Sequence, residues 1–111
     1  MTKPKIRKLV RHYLKHLKLD DWRCTRLVLS TNPMIGSVQV YGWCEVCSVA
    51  KKTFHLGLRI GLEGPELNKV IVHEIVHIAT QMFENAVKAD NKVELNKWEE
   101  YLAEMAERLV F

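Results

Sequence analysis

The sequence predicts an α+β fold with the order helix, three strands, helix, helix. Apolar residues recur with helical spacing near both ends of the chain, and they alternate with polar residues in the stretch between. Strands that are followed by helices, instead of alternating with them, are typical of α+β proteins. The 111 residues suit one hydrophobic core, so we expect a single domain over residues 1–111.

The first half of the chain is predicted to contain one helix and three strands. The helix spans Lys5–Leu19, because apolar residues fall on one of its faces and Lys and Arg fill the other. Strand-forming residues then mark Trp22–Ser30, Ser37–Val49 and Thr53–Ile60, with turn residues between them. In the third strand the apolar side chains that share one face are Phe54, Leu56, Leu58 and Ile60.

Two helices are predicted to complete the chain. Gly61–Pro65 ends the sheet, and its proline stands where the first turn of a helix tolerates one. That helix spans Glu66–Val87 and is followed by a polar break at Lys88–Lys92. The last helix spans Val93–Val110, with an apolar face that repeats every three or four residues.

Composition indicates a soluble protein of a reducing compartment. The longest near-apolar stretch, Val70–Ala79, is too short to cross a bilayer, and the N-terminus resembles no secretion signal, so we expect a cytoplasmic protein with no membrane partner. An odd number of cysteines, three, in a chain without a secretion signal argues against a disulfide framework. Cys44 and Cys47 have the spacing of half a zinc knuckle or of a redox motif. We interpret them as ordinary strand cysteines, because the chain has no second such pair.

Positive charge is concentrated at the start of the chain. Residues 1–26 carry nine Lys or Arg against Asp20 and Asp21, whereas residues 27–111 carry eight against eleven acidic residues. A basic segment can bind nucleic acid or acidic partners. A solvated helix face is the interpretation we favour, because no recognition motif accompanies the charge.

One short segment carries a chemical signature. His73–His77 reads His-Glu-Ile-Val-His, which is the HExxH pattern of zinc hydrolases. Histidines four residues apart lie on the same helix face, so both imidazoles can reach one Zn²⁺. Glu74 follows the first of them and can contact the water of the metal without binding the metal itself.

The surroundings of this segment favour a metal site. Within Val70–Ala79 the polar side chains are those of His73, Glu74 and His77, and apolar residues cover nearly the whole helix circumference. Such a helix is predicted to be buried. Burying an unpaired glutamate costs several kcal/mol, which a bound metal ion would offset. The alternative is a buried helix whose histidines bond to neighbours, with Glu74 near the surface.

A hydrolytic zinc needs a third protein ligand, and the last helix offers candidates. No histidine follows the motif at the spacing used by metzincins, where this chain has Thr80 and Phe83. The downstream candidates are the carboxylates of the last helix, Glu94, Glu99, Glu100, Glu104 and Glu107. At 100° per residue, Glu99 falls beside the apolar face of the helix, so we predict Glu99 as the ligand and keep Glu100 in reserve.

These residues resemble the gluzincin metallopeptidases, in which two motif histidines and a glutamate from a later helix hold zinc. The short chain is similar to minimal phage-type members, and its tail from Glu99 is similar to the ligand helix of ImmA/IrrE-type proteins, where a small residue (here Ala106) follows seven positions on. The chain departs from the pattern at Ala103, where gluzincins often carry Asp or Asn.

The resemblance implies a zincin-like fold and a zinc-dependent metallopeptidase with a peptide or protein substrate. Glu74 would be the general base, and His73, His77 and Glu99 the ligands of Zn²⁺. An extended substrate would pair with a strand edge, which we predict to be Thr53–Ile60. Candidates for a second group that stabilises the oxyanion are His55, Arg59 and Tyr41.

Two other functions remain open at the level of the sequence. The chain can be a zincin-like binding module in which zinc is bound without turnover. It can also associate with nucleic acid through its basic first 26 residues, and this role is compatible with either of the others.

Overall fold

The protein is an α+β fold, seen in a computed structural model that describes residues 2–109 and the side chains of residues 2–105. The predicted order of one helix, strands and two helices is confirmed, with one additional short hairpin. The elements are α1 (Lys3–His16), β1 (Arg23–Ser30), β2 (Met34–Ile35), β3 (Val38–Gln39), β4 (Gly42–Ser48), β5 (Thr53–Arg59), α2 (Gly64–Lys88) and α3 (Lys92–Leu109).

The first helix is amphipathic, as its spacing predicts, but it ends earlier than Leu19. Its buried residues are Ile6, Val10 and Leu14. Lys18 adopts a φ of 57°, in the left-handed region, and the Leu19 amide donates to the carbonyl of Leu14 at 2.7 Å. These are features of a Schellman C-cap, which ends a helix and satisfies its last carbonyls.

The main sheet has three strands in the order β1-β5-β4. β5 is parallel to β1 and antiparallel to β4, so it is the central strand. The prediction that Thr53–Ile60 forms the sheet edge is therefore wrong. Alternation reports which side chains face the core but not how many neighbours a strand has, because pairing involves residues distant in sequence.

Alternation along β5 is confirmed for three of the four predicted residues. Phe54, Leu56 and Leu58 are fully buried, whereas Ile60 lies beyond the strand and is exposed. On the opposite face, Trp43 covers Gly57 so closely that a Cβ there would overlap the indole ring. Gly57 therefore leaves room for the tryptophan.

The second predicted strand, Ser37–Val49, is interrupted. Its first part forms β3, which pairs antiparallel with β2 in a separate hairpin around Gly36, where φ is 61°. Its second part forms β4. Met34–Ile35, which we assigned to a turn, pairs locally with Val38–Gln39 before the chain enters the main sheet at Gly42.

The motif helix α2 is buried along one face only. Its buried face consists of Ile71, Glu74, Ile75, Ile78, Ala79, Met82 and Ala86. Val72 and Val76 are half-buried, and both motif histidines are exposed. The prediction of a helix buried all round is therefore wrong, because a chain this short does not cover every apolar side of a helix.

Backbone contacts divide the chain into two compact units, Met1–Ile75 and Val76–Phe111, with the boundary inside α2. The first contains α1, all five strands and the start of α2, and the second contains the rest of α2 and α3. A single domain over residues 1–111 stays a prediction. None of the helices, over the part of the chain that the structure describes, is long and apolar enough to cross a membrane.

Candidate metal centre

Three side chains of α2 bring potential metal ligands together. One imidazole nitrogen each from His73 and His77 and one carboxylate oxygen from Glu74 lie within 4.8 Å of one another. Helix geometry explains the cluster, because residues at i, i+1 and i+4 lie within about one turn. Imidazole and carboxylate donors suit a divalent transition metal such as zinc, so these side chains could hold a metal ion.

The three residues differ in exposure. His73 and His77 are exposed, whereas Glu74 is only 6% exposed. At 100° per residue, Glu74 lies on the flank of α2 between the open histidine face and the buried face. The imidazoles are thus open to solvent, while the carboxylate is held against the protein.

Glu74 lies beside the edge strand β4. A Cβ placed on Gly42 would lie 3.3 Å from Cγ of Glu74 and 3.0 Å from Cγ1 of Val70. Gly42 is also the first residue of β4. The lack of a side chain at this position allows the strand backbone to approach the motif helix where the carboxylate projects.

The thiol of Cys44 shares this environment. Burial and, secondly, the negative charge of Glu74 raise the pKa of Cys44 to about 12. The thiol is therefore protonated at neutral pH and is a poor nucleophile. Cys44 and Cys47 are both free and both lie in β4, in agreement with their interpretation as strand cysteines.

The burial of Glu74 does not by itself require a metal ion. His73, Glu74 and His77 each have an interaction partner, and no buried side-chain nitrogen or oxygen within the described part of the chain lacks a hydrogen bond. The sequence argument from the cost of an unpaired buried carboxylate is therefore not supported. The close approach of the three donor groups is the observation that favours a metal site.

The three candidates for oxyanion stabilisation point away from Glu74. Gly42 pairs with Leu58, and their shared face is the one that meets α2. Side chains alternate along a strand, so His55 and Arg59 lie on the other face. The guanidinium of Arg59 stacks over the ring of Tyr41 at 5.5 Å from its centroid. The ring of Tyr41 therefore lies on the same face of the sheet as Arg59.

The third ligand is not distinguished by burial. Glu99 and Glu100 are both exposed on α3, so the predicted inward orientation of Glu99 is not seen, and its role stays a prediction. Glu104 is half-buried and has an interaction partner. The side chains of Ala106 and Glu107 lie outside the described residues.

Sequence reasoning missed the part that β4 plays at this site. Gly42 lies beside Glu74, and the charge of Glu74 acts on the thiol of Cys44, yet neither residue belongs to the HExxH motif. The available signal was the alternation of Gly42, Cys44 and Val46 on one strand face, which the structure confirms through their pairing with Leu58, Leu56 and Phe54. Comparisons of this chain with protein families, with curated proteins and with solved structures found no match.

Proposed function

We propose that the protein is a zinc-dependent metallopeptidase with a zincin-like fold. The observation that carries this proposal is the approach of two imidazole nitrogens and one carboxylate oxygen to within 4.8 Å on one helix. The exposure of both imidazoles supports a hydrolytic site over a structural one, because a hydrolytic metal needs an open coordination position and a path for substrate.

The residues take separate roles. His73, His77 and Glu99 would hold the ion, which when bound lowers the pKa of a coordinated water and polarises the substrate carbonyl. Glu74 accepts the proton of the attacking water and passes it to the nitrogen of the leaving amine. Its burial beside β4 supports this role, since a side chain that is 6% exposed has little freedom to move.

The substrate is proposed to bind along β4 and not along β5. β5 has a neighbour on each side, whereas β4 pairs only with β5 among the described strands. An extended peptide can add to such a free edge through backbone hydrogen bonds. Because β4 begins at Gly42 beside Glu74, a peptide paired with this strand would pass close to the carboxylate.

The test combines metal content with cleavage of an unfolded protein. Glu74→Gln keeps the shape of the side chain and removes the base, so we expect normal zinc content and a loss of turnover of about 100-fold or more. His73→Ala and His77→Ala should lose both zinc and activity. Glu84→Gln, an exposed change on the same helix, is the matched control and should resemble the wild type.

Each measurement has an outcome that contradicts part of the proposal. Turnover by Glu74→Gln equal to that of Glu84→Gln would exclude Glu74 as the base. Wild-type protein that retains zinc but cleaves no unfolded substrate would favour the zinc-binding module. Protein purified without chelator that contains no zinc, and binds none when it is added, would exclude the metal centre.

A further inference from the structure

A second site lies between α1 and β1, within the unit that contains the sheet. It is a cleft of about 300 Å³. Its polar and aromatic lining consists of Arg7, Arg11, Asp20, Trp22, Arg23 and Cys24. Three guanidinium groups thus face one carboxylate, and the charge of the cleft is positive.

The floor and wall of the cleft are fixed by the fold. Trp22 is 4% exposed and forms an apolar base together with the buried residues Val10 and Leu14. A guanidinium nitrogen of Arg7 donates to the backbone carbonyl of Cys24 at 3.3 Å, which links α1 to β1. Charges above a low-dielectric floor attract anions more strongly than charges surrounded by water.

The other two arginines are available to a ligand. Arg11 and Arg23 are exposed, and neither has a carboxylate partner among the residues whose side chains are described. Asp21, the acidic residue next to the cleft, is paired with Lys52. The cleft therefore keeps a net positive charge, because Asp20 is the one carboxylate among its lining residues and three of those residues are arginines.

The charge continues along the helix beyond the cleft. Arg7, Arg11 and Lys15 are separated by four residues each, so they form one row with a spacing of about 6 Å along the helix axis. Like charges at this spacing destabilise a helix, so helix stability does not account for the row. A row of cations that leads into an arginine-lined cleft matches a ligand with several regularly spaced anionic groups.

We propose that the α1–β1 cleft, together with the row formed by Arg7, Arg11 and Lys15, binds the phosphate backbone of nucleic acid. Guanidinium groups bind phosphate oxygens through paired hydrogen bonds. The aromatic residue of the cleft, Trp22, is buried and offers no surface on which a base can stack. Binding is therefore directed at phosphates and is independent of base sequence.

The test measures binding of the full chain to a labelled DNA duplex of mixed sequence by fluorescence anisotropy over a range of salt concentrations. The variant Arg11→Gln/Arg23→Gln removes two cleft cations and leaves the Arg7 link to Cys24 in place. Loss of two phosphate contacts should reduce the magnitude of the negative slope of log K against log salt by about 1.8. The affinity at about 0.1 M salt should fall by about 60-fold.

The matched control is Lys51→Gln/Lys88→Gln, which removes the same charge from exposed residues outside the cleft. It should lose far less affinity than the cleft variant, and circular dichroism should show that both fold. Equal losses would mean that diffuse surface charge binds DNA, and would overturn the proposal, as would the absence of DNA binding by the wild type.

Two competitors distinguish the ligand, and one variant separates this site from the metal centre. Displacement of the duplex by millimolar inorganic phosphate would indicate a small-anion site, and displacement by polyglutamate at equal charge would indicate an acidic protein partner. Either result overturns the proposal. Glu74→Gln should bind the duplex like the wild type, so failure of the peptidase proposal leaves this one intact.

Discussion

Replacing Gly42 by alanine tests whether the edge strand β4 sets the position of Glu74. The added Cβ would lie 3.0 Å from the carbonyl oxygen of Gly57, 3.0 Å from Cγ1 of Val70 and 3.3 Å from Cγ of Glu74. The carbonyl belongs to the paired strand β5 and cannot move without disturbing the sheet. Movement of Val70 and of Glu74 can relieve the strain on the side of α2, whereas the close contact with the carbonyl would remain.

The magnitude follows from two opposing effects. Overpacking of a tight contact costs about 1–3 kcal/mol. Gly42 does not have a positive φ, so alanine fits the backbone and regains about 0.4–1 kcal/mol by restricting the unfolded chain. The free energy of unfolding should fall by about 0.5–2 kcal/mol, which is a decrease in Tm of about 2–8 °C for a chain of this size.

The assay is thermal unfolding of Gly42→Ala, Val70→Ala and the double variant. Val70→Ala removes one of the two closest contact atoms, so the double variant should lose less stability than the sum of the single variants. In the proposed peptidase, displacement of Glu74 should also lower kcat by about tenfold, with zinc content unchanged.

Two results would refute this reasoning. A Tm for Gly42→Ala at or above that of the wild type would mean that the strand and the helix are not in tight contact at this point. Additive effects of Gly42→Ala and Val70→Ala would mean that the strain is relieved elsewhere.

Two further predictions concern the third ligand and the thiol beside the carboxylate. Glu99→Ala should weaken zinc binding by more than about 100-fold, since loss of an outer-shell partner alone costs 10- to 100-fold, whereas Glu100→Ala should change it little; the reverse order in a zinc titration would make Glu100 the ligand. In metal-free protein at about pH 8, iodoacetamide should modify Cys44 at least about 100-fold more slowly than the exposed Cys47, because burial and then Glu74 raise the pKa of Cys44 to about 12. Glu74→Gln should speed modification of Cys44, because it removes a negative charge that raises this pKa; an unchanged rate measured by mass spectrometry would contradict the assigned cause.

Features that depend on neighbouring residues could be predicted from the sequence. The amphipathic spacing of α1 and the alternation of Phe54, Leu56 and Leu58 are local, and both are confirmed. The approach of His73 to His77 is local too, because helix geometry alone brings residues four apart onto one face. These predictions needed no knowledge of tertiary structure.

Features that depend on distant residues could not be predicted in the same way. β5 is central because it pairs with β1, about 30 residues earlier, and with β4, whereas its own alternation is the same for an edge strand. The exposure of both motif histidines depends on how much of α2 the other elements cover. The identity of the third ligand also depends on distant residues. Glu99 and Glu100 are adjacent in the chain and both are exposed, so neither position alone identifies the ligand.

The contrast in exposure within the motif favours a hydrolytic over a structural role for the proposed metal centre. A structural zinc site is closed by four protein ligands, commonly including cysteines. Here His73 and His77 face solvent, Glu74 is held against β4, and Cys44 is a protonated thiol. Among the described residues, this is the one group of potential ligands close enough to hold a metal ion. In the proposed peptidase, Glu74 would act as the base, and His73, His77 and Glu99 would hold the ion and leave its fourth position for water, as hydrolysis requires.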